Sequence, residues 1–103
     1  MRFQVDQLES VDYDLEQALH YYNQFNLTVS KNFLLELEKA SKALEINPFF
    51  EIKYKNVRTL KIKRFPYLIH FVIEEEKNQV VIIAIVFGGF EDQDYSGRGT
   101  KAQ

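Results

Sequence analysis

Apolar residues at Val11, Leu15, Ala18, Leu19, Tyr22 and Phe25 are spaced by three and four, which lays one stripe along a helix. Ser10, Asp12 and Asp14 supply capping and first-turn acids for it, where the helix dipole favours negative charge. Asn23-Gln24-Phe25-Asn26 reads as its end, and Thr28 or Ser30 as the cap of a second helix. That helix carries Val29, Phe33, Leu37, Ala40 and Leu44 on one face and stops at Asn47-Pro48, because a residue before proline is pushed out of helical geometry. Two amphipathic helices joined this closely make an antiparallel hairpin.

The period then changes. Leu60 and Ile62 alternate with Thr59, Lys61 and Lys63, as in a strand with one buried and one wet face. Arg64-Phe65-Pro66 reads as a tight connection, since proline fixes its own φ and donates no ladder bond. Tyr67 to Ile73 and Val80 to Phe87 are nearly continuous apolar runs separated by Glu74-Glu75-Glu76-Lys77-Asn78. They predict a central hairpin buried on both faces, closed after the last strand by Gly88-Gly89. With a short first strand at Arg2 to Val5, the order is β-α-α-β-β-β, a helical hairpin on an antiparallel sheet in the α+β class. One domain over residues 1–90 is expected, followed by a polar, mobile tail over 91–103.

Composition narrows the chemistry. The chain has 103 residues, 46% of them hydrophobic, with nine Phe, six Tyr and no Cys. This excludes a disordered chain, disulfides, thiolate nucleophiles and cysteine-based zinc sites. The longest apolar run, Val80 to Phe87, is far shorter than the ~20 residues of a membrane helix, and no apolar leader follows Met1. A soluble, cytoplasmic protein without membrane contact is therefore expected. With only two histidines, His20 and His70, no metal site or cofactor is expected, and no phosphate loop, dinucleotide fingerprint or nucleophile elbow is present. Glu74-Glu75-Glu76 reads as a solvated loop without calcium-loop spacing.

Charge is unevenly spread. The net charge is −2, yet residues 51–64 hold Lys53, Lys55, Arg58, Lys61, Lys63 and Arg64 against Glu51 alone. This stripe is a candidate surface for a target or partner, such as an acidic protein or a phosphate backbone; the alternative is a solvated strand face that discourages edge pairing. Arg58 shares strand parity with Leu60 and Ile62, which suggests a place at the end of the core face beside a carboxylate. For proton transfer at a phosphate the chain offers Arg58, Arg64 and His70 first, with Tyr67, Tyr95 and Arg98 beside them. His70 alternates with Leu68 and Val72, so a satisfied sheet histidine is the competing reading, as a core or rim aromatic is for Tyr67.

Several segments resemble a known family. Asp14-Leu15-Glu16-Gln17-Ala18 through Tyr21-Tyr22, Phe33-Leu34-Leu35-Glu36-Leu37 and Asn47-Pro48 are similar to the helical half of the RelE/ParE toxins. Val57-Arg58, Leu60, Ile62, Arg64-Phe65-Pro66-Tyr67-Leu68-Ile69-His70-Phe71 and Ile82-Ile83-Ala84-Ile85 resemble its sheet. The resemblance implies a toxin of a bacterial type II toxin–antitoxin module, bound by a cognate antitoxin. Some members cleave mRNA on the ribosome; others poison DNA gyrase. Members that cleave mRNA carry Tyr-Arg where this chain has Tyr67-Leu68, and many have cations where it has Gly88-Gly89-Phe90-Glu91-Asp92-Gln93-Asp94. These departures imply the gyrase-poisoning, ParE-like branch, with a ribosome-dependent endonuclease or a non-toxic relative that keeps only partner binding as alternatives. Leu27, Leu34, Leu35 and Tyr21 fall outside the main helical stripes and would suit a docked antitoxin helix or strand.

Overall fold

The structure, a computed structural model, describes residues 2–88 and 94–100. Strand β1 (Gln4–Gln7) leads into helix α1 (Glu9–Asn23) and helix α2 (Leu27–Ile46). Strands β2 (Ile52–Tyr54), β3 (Val57–Lys61), β4 (Tyr67–Glu74) and β5 (Gln79–Phe87) follow, and a short helix α3 spans Ser96–Thr100. The five strands form one sheet in the order β1-β5-β4-β3-β2. The expected α+β architecture is observed, with β2 and α3 added and one pairing, β1 with β5, parallel where an antiparallel sheet is expected. A short strand β2 precedes the expected hairpin, pairing Ile52 with Arg58 and Tyr54 with Val57. The first strand starts two residues later than anticipated and lies parallel to β5, with Gln4 beside Gln79 and Gln7 beside Ile82.

Helix ends differ in detail from the sequence expectation. The cap position of α1 is Leu8, which makes no side-chain capping bond, and not Ser10. The α2 cap is Asn26, whose Oδ1 accepts from the Val29 amide at 2.9 Å. Ser30 is instead buried inside α2 and donates to Oδ1 of Asn23, tying the two helices together. Asn47 ends α2, as Asn47-Pro48 requires.

The helices pack on one sheet face through Val11, Ala18, Tyr22, Phe33 and Leu44 against Ile62, Phe65, Ile69, Phe71, Val80, Ile82 and Ile85. An aromatic group lies at its centre: Phe33 and Phe65 meet edge to face at 5.2 Å, and Tyr22 meets Phe65 at the same distance. Such pairs add about 0.5–1.5 kcal/mol each beyond simple burial. Val57, Ile83 and Ala84 are fully buried outside this cluster, and His70 is nearly so. The central hairpin is thus covered on both faces, as its continuous apolar runs imply. A bulge between His70 and Phe71 keeps the two faces in register: His70 pairs with Ala84, whereas Phe71 pairs with Ile82. Among the described residues no helix is long and apolar enough to cross a membrane.

Candidate functional site

The β3–β4 register separates the chemistry-bearing residues. Arg58 pairs with Phe71 on the helix-covered face, and Thr59 pairs with His70 on the other, because neighbouring strand residues point to opposite faces. Arg64 lies in the β3–β4 turn with a positive φ of 73°. Arg58, Arg64 and His70 therefore do not converge. Arg58 also lacks the anticipated carboxylate partner: its Nε donates to the Phe50 carbonyl at 2.7 Å, and its guanidinium lies 5.5 Å from the Phe49 ring centroid. The Asn47-Pro48 break turns residues 49 and 50 back under β3, so a backbone acceptor and a ring occupy the place expected for a carboxylate.

The basic stripe is divided as well. Lys53 pairs with Glu51 at 3.1 Å, and Lys55 with Asp94 at 2.7 Å. Lys61, Lys63 and Arg64 are exposed, and among the described residues none has a carboxylate partner. The three lie at the end of β3 and in the β3–β4 connection, within five residues of Pro66.

Pro66 also lines a groove of about 650 Å³ together with Tyr21, Tyr22, Phe25, Val29, Tyr67 and Phe87. Its walls are rings packed edge to face: Tyr21 on Phe25 at 5.2 Å and Tyr67 on Phe87 at 5.9 Å. Tyr67 is the rim aromatic anticipated from sequence, joining the core at Phe33 to the groove. Burial, and then the nearby phenols, raise the pKa of Tyr22 and Tyr67, which keeps both neutral donors at ordinary pH. Leu27 beside the groove and Leu34 and Leu35 farther along α2 are exposed, in agreement with their place off the main stripe.

A second cluster lies on the opposite sheet face. Nδ1 of His70 is 3.0 Å from the Tyr54 hydroxyl, which accepts from the Tyr95 amide at 3.1 Å. Tyr54 can then donate its hydroxyl proton to Nδ1 of a neutral imidazole protonated at Nε2, an arrangement that satisfies the network. Burial first, and then the charge of Arg98, lower the His70 pKa, with Asp14 opposing. The Tyr95 ring caps the imidazole edge to face at 5.0 Å. Burial likewise raises the pKa of both Tyr54 and Tyr95. His70 is thus held as a satisfied sheet histidine, although it sits among two phenols, a guanidinium and a carboxylate.

Asp14 is the residue that the sequence reading misplaced. It is not a first-turn acid but a buried carboxylate, whose Oδ2 accepts from the Ile85 amide at 3.1 Å and from Arg98 at 2.7 Å. Arg98 also donates to the Ile83 carbonyl at 3.0 Å. The β1 ladder ends where Leu8 donates to Ile82, and beyond it this side-chain pair satisfies the exposed edge of β5. A signal for this was present: Asp14 falls three residues after Val11 and four before Ala18, inside the apolar stripe. Residues 94–98, within the tail expected to be mobile, contact the sheet and α1 through Asp94, Tyr95 and Arg98; residues 91–93 and 101–103, like Gly89 and Phe90, lie outside the described residues.

Leu68 lies beside Gly88, the first residue of the Gly88–Asp94 segment. A Cβ at Gly88 would stand 3.2 Å from Cγ of Leu68, and Leu68 pairs with Lys61 and Val86.

A model of the "ParE toxin of type II toxin-antitoxin system, parDE" family matches residues 5–88. The chain belongs to the ParE toxin family. Among solved structures, it is similar to a chain of the chromosomal ParDE TA system from P. aeruginosa, with a TM-score of 0.68 at 18% identity. That likeness covers 82% of this chain and 95% of the other, and it concerns the fold. No curated protein matches the sequence.

Proposed function

We propose that this ParE-family toxin acts in the cytoplasm by binding a protein target such as DNA gyrase, and that a cognate antitoxin neutralises it. The observation that carries the first part is the Leu68–Gly88 corner. Where the mRNA-cleaving members of the resemblance usually carry an arginine, this chain has Leu68, whose side chain packs close to Gly88. Cleavage by a 2′-hydroxyl needs cations at the phosphate beside a base and an acid. Here His70 is buried under Tyr95, and Arg58 faces the other side of the sheet.

The antitoxin reading rests on the aromatic groove and its exposed flank at Tyr21, Phe25 and Leu27. An amphipathic segment with apolar anchors fits such a groove, and acidic flanks would suit Lys61, Lys63 and Arg64, which precede the groove residue Pro66 in the chain. The matched solved structure is a ParDE assembly, which supports a partner of this kind.

Induced expression tests the first part. A gyrase poison triggers DNA damage and filamentation, and the purified chain then inhibits supercoiling. Cleavage of mRNA on stalled ribosomes would overturn it in favour of the endonuclease, and unaffected growth would favour a relative that keeps partner binding alone. Co-expression with the product of an adjacent small open reading frame tests the second part. Rescue of growth and co-purification are expected; a monomeric toxin that ignores the product overturns it.

A further inference from the structure

The segment from Asp94 to Arg98 touches the sheet almost entirely through polar and charged groups. Asp94 meets Lys55 at 2.7 Å, the Tyr95 amide donates to the Tyr54 hydroxyl at 3.1 Å, and Arg98 reaches Asp14 at 2.7 Å. Its one large apolar contribution is the Tyr95 ring, held between the His70 imidazole at 5.0 Å and the Arg98 guanidinium at 5.1 Å. A segment tied down by so little apolar area opens independently of the core, which is secured by Phe33, Phe71 and Ile85. The ties are unequal. Lys55 and Asp94 are largely exposed, with side chains 63% and 44% accessible, and such pairs contribute little. Asp14 is only 6% accessible and Arg98 30%, so their bond is the better shielded of the two from water and salt.

We propose that residues 94–98 form a detachable strap, latched by Arg98 on Asp14, whose docked state masks His70 and occupies Lys55. Arg98 of the latch also donates to the Ile83 carbonyl, just beyond the β5 residues that pair with β1. Release uncovers the imidazole and the Tyr54 hydroxyl, and returns Lys55 to the free cations of the basic stripe. The strap is thus a self-made cover over the sheet face opposite the helices, opened by whatever competes for Asp14 or for the Tyr95 site.

The two histidines of the chain make the test direct. His20 is exposed on α1, whereas His70 is 7% accessible beneath Tyr95. Carbethoxylation with diethyl pyrocarbonate at pH 7.5, mapped by mass spectrometry, is expected to label His20 quickly and His70 slowly in the parent. Arg98→Gln should speed His70 labelling by tenfold or more and leave His20 unchanged, with Arg98→Lys between them. Tyr95→Ala keeps the latch pair but removes the cover, and should expose His70 with the strand amides of β4 still protected from exchange. Labelling of His70 at the parent rate in both variants would overturn the proposal. So would labelling that rises only in step with lost β4 protection, because opening would then be global.

Discussion

The carboxylate of Asp14 and the guanidinium of Arg98, 84 positions apart in sequence, meet at 2.7 Å on the edge of β5 where the β1 ladder stops. One oxygen of Asp14 serves both this bond and the Ile85 amide, so the residue satisfies backbone and side chain together. Removing a partner from a buried pair leaves a charge or an amide without compensation. Asp14→Ala is expected to lower unfolding free energy by about 3 kcal/mol. Arg98→Ala should cost less, because the Arg98 side chain is 30% accessible and water can take its place, whereas losing Asp14 also strands the buried Ile85 amide. Urea titrations of both single variants and the double variant check this. The coupling in the cycle should be favourable and at least about 0.5 kcal/mol, as for groups in direct contact.

His70 links stability to pH. The groups facing it are Tyr54 from β2, Tyr95 and Arg98 from the C-terminal segment, and Asp14 from α1. Its pKa is lowered in the folded state, chiefly by burial and then by Arg98. The unfolded chain therefore takes up the proton first as pH falls, and stability rises with pH wherever the unfolded state binds more protons. The contribution of neutral His70 is fully present above about pH 6.5, its ordinary pKa, and declines as pH falls through the range below it. Urea midpoints measured from pH 7.5 to 5 should fall for the parent. The decline should be shallower in His70→Gln, and parallel curves for the two proteins would contradict this account.

How far these features are legible in the sequence depends on what fixes each one. The two helices are legible because Val11-Leu15-Ala18-Tyr22 and Val29-Phe33-Leu37-Leu44 are set by burial against one sheet face. The β4–β5 hairpin is legible for the same reason, through runs too apolar for any exposed strand. Strand β2 is not: Ile52-Lys53-Tyr54 is three residues long, and its pairing depends on a turn in which Lys55 takes a φ of 51°, a geometry few lysines adopt. The parallel placing of β1 is a long-range choice that no local pattern encodes. The caps are harder to read, because Ser10 and Ser30 are plausible acceptors for a first-turn amide anywhere within a turn, and burial of Ser30 between the helices decides its role. The cluster around His70 depends on Tyr54, Tyr95 and Asp14 meeting from three distant segments, so each residue alone reads as ordinary.

The aromatic groove separates binding from stability. Phe25 is 61% exposed at its rim, whereas Phe33 is fully buried at the centre of the core. Phe25→Ala should change unfolding free energy by no more than about 0.5 kcal/mol, the range of ordinary surface substitutions. Phe33→Ala removes a fully packed ring and is expected to cost about 3–5 kcal/mol. If an antitoxin segment anchors in the groove, Phe25→Ala should weaken its binding by about 2 kcal/mol, close to thirtyfold, as for a central aromatic contact. Calorimetry of the complex and urea unfolding of the free toxin provide the two numbers. A Phe25→Ala toxin that binds the antitoxin as the parent does would remove the groove from the interface.

The basic turn makes the last prediction, because among the described residues Lys61, Lys63 and Arg64 have no carboxylate partner whereas Lys53 and Lys55 are paired. Lys61 lies on β3 opposite Leu68, and Lys63 lies beyond the end of that strand; both are exposed, so neither contributes to the core. Lys61→Gln with Lys63→Gln should therefore leave the urea midpoint within the error of the parent. Three adjacent cations in a chain of net charge −2 form a local field that reaches about 10 Å at 0.1 M salt. An acidic partner should accordingly bind the double variant more weakly, mainly through a slower association rate, and with a flatter dependence on salt. The experiment is stopped-flow association at two or more ionic strengths with the candidate partner, either antitoxin or gyrase. Equal association rates and equal salt slopes for parent and variant would reduce these lysines to a solvated face that only keeps the sheet from pairing with other chains.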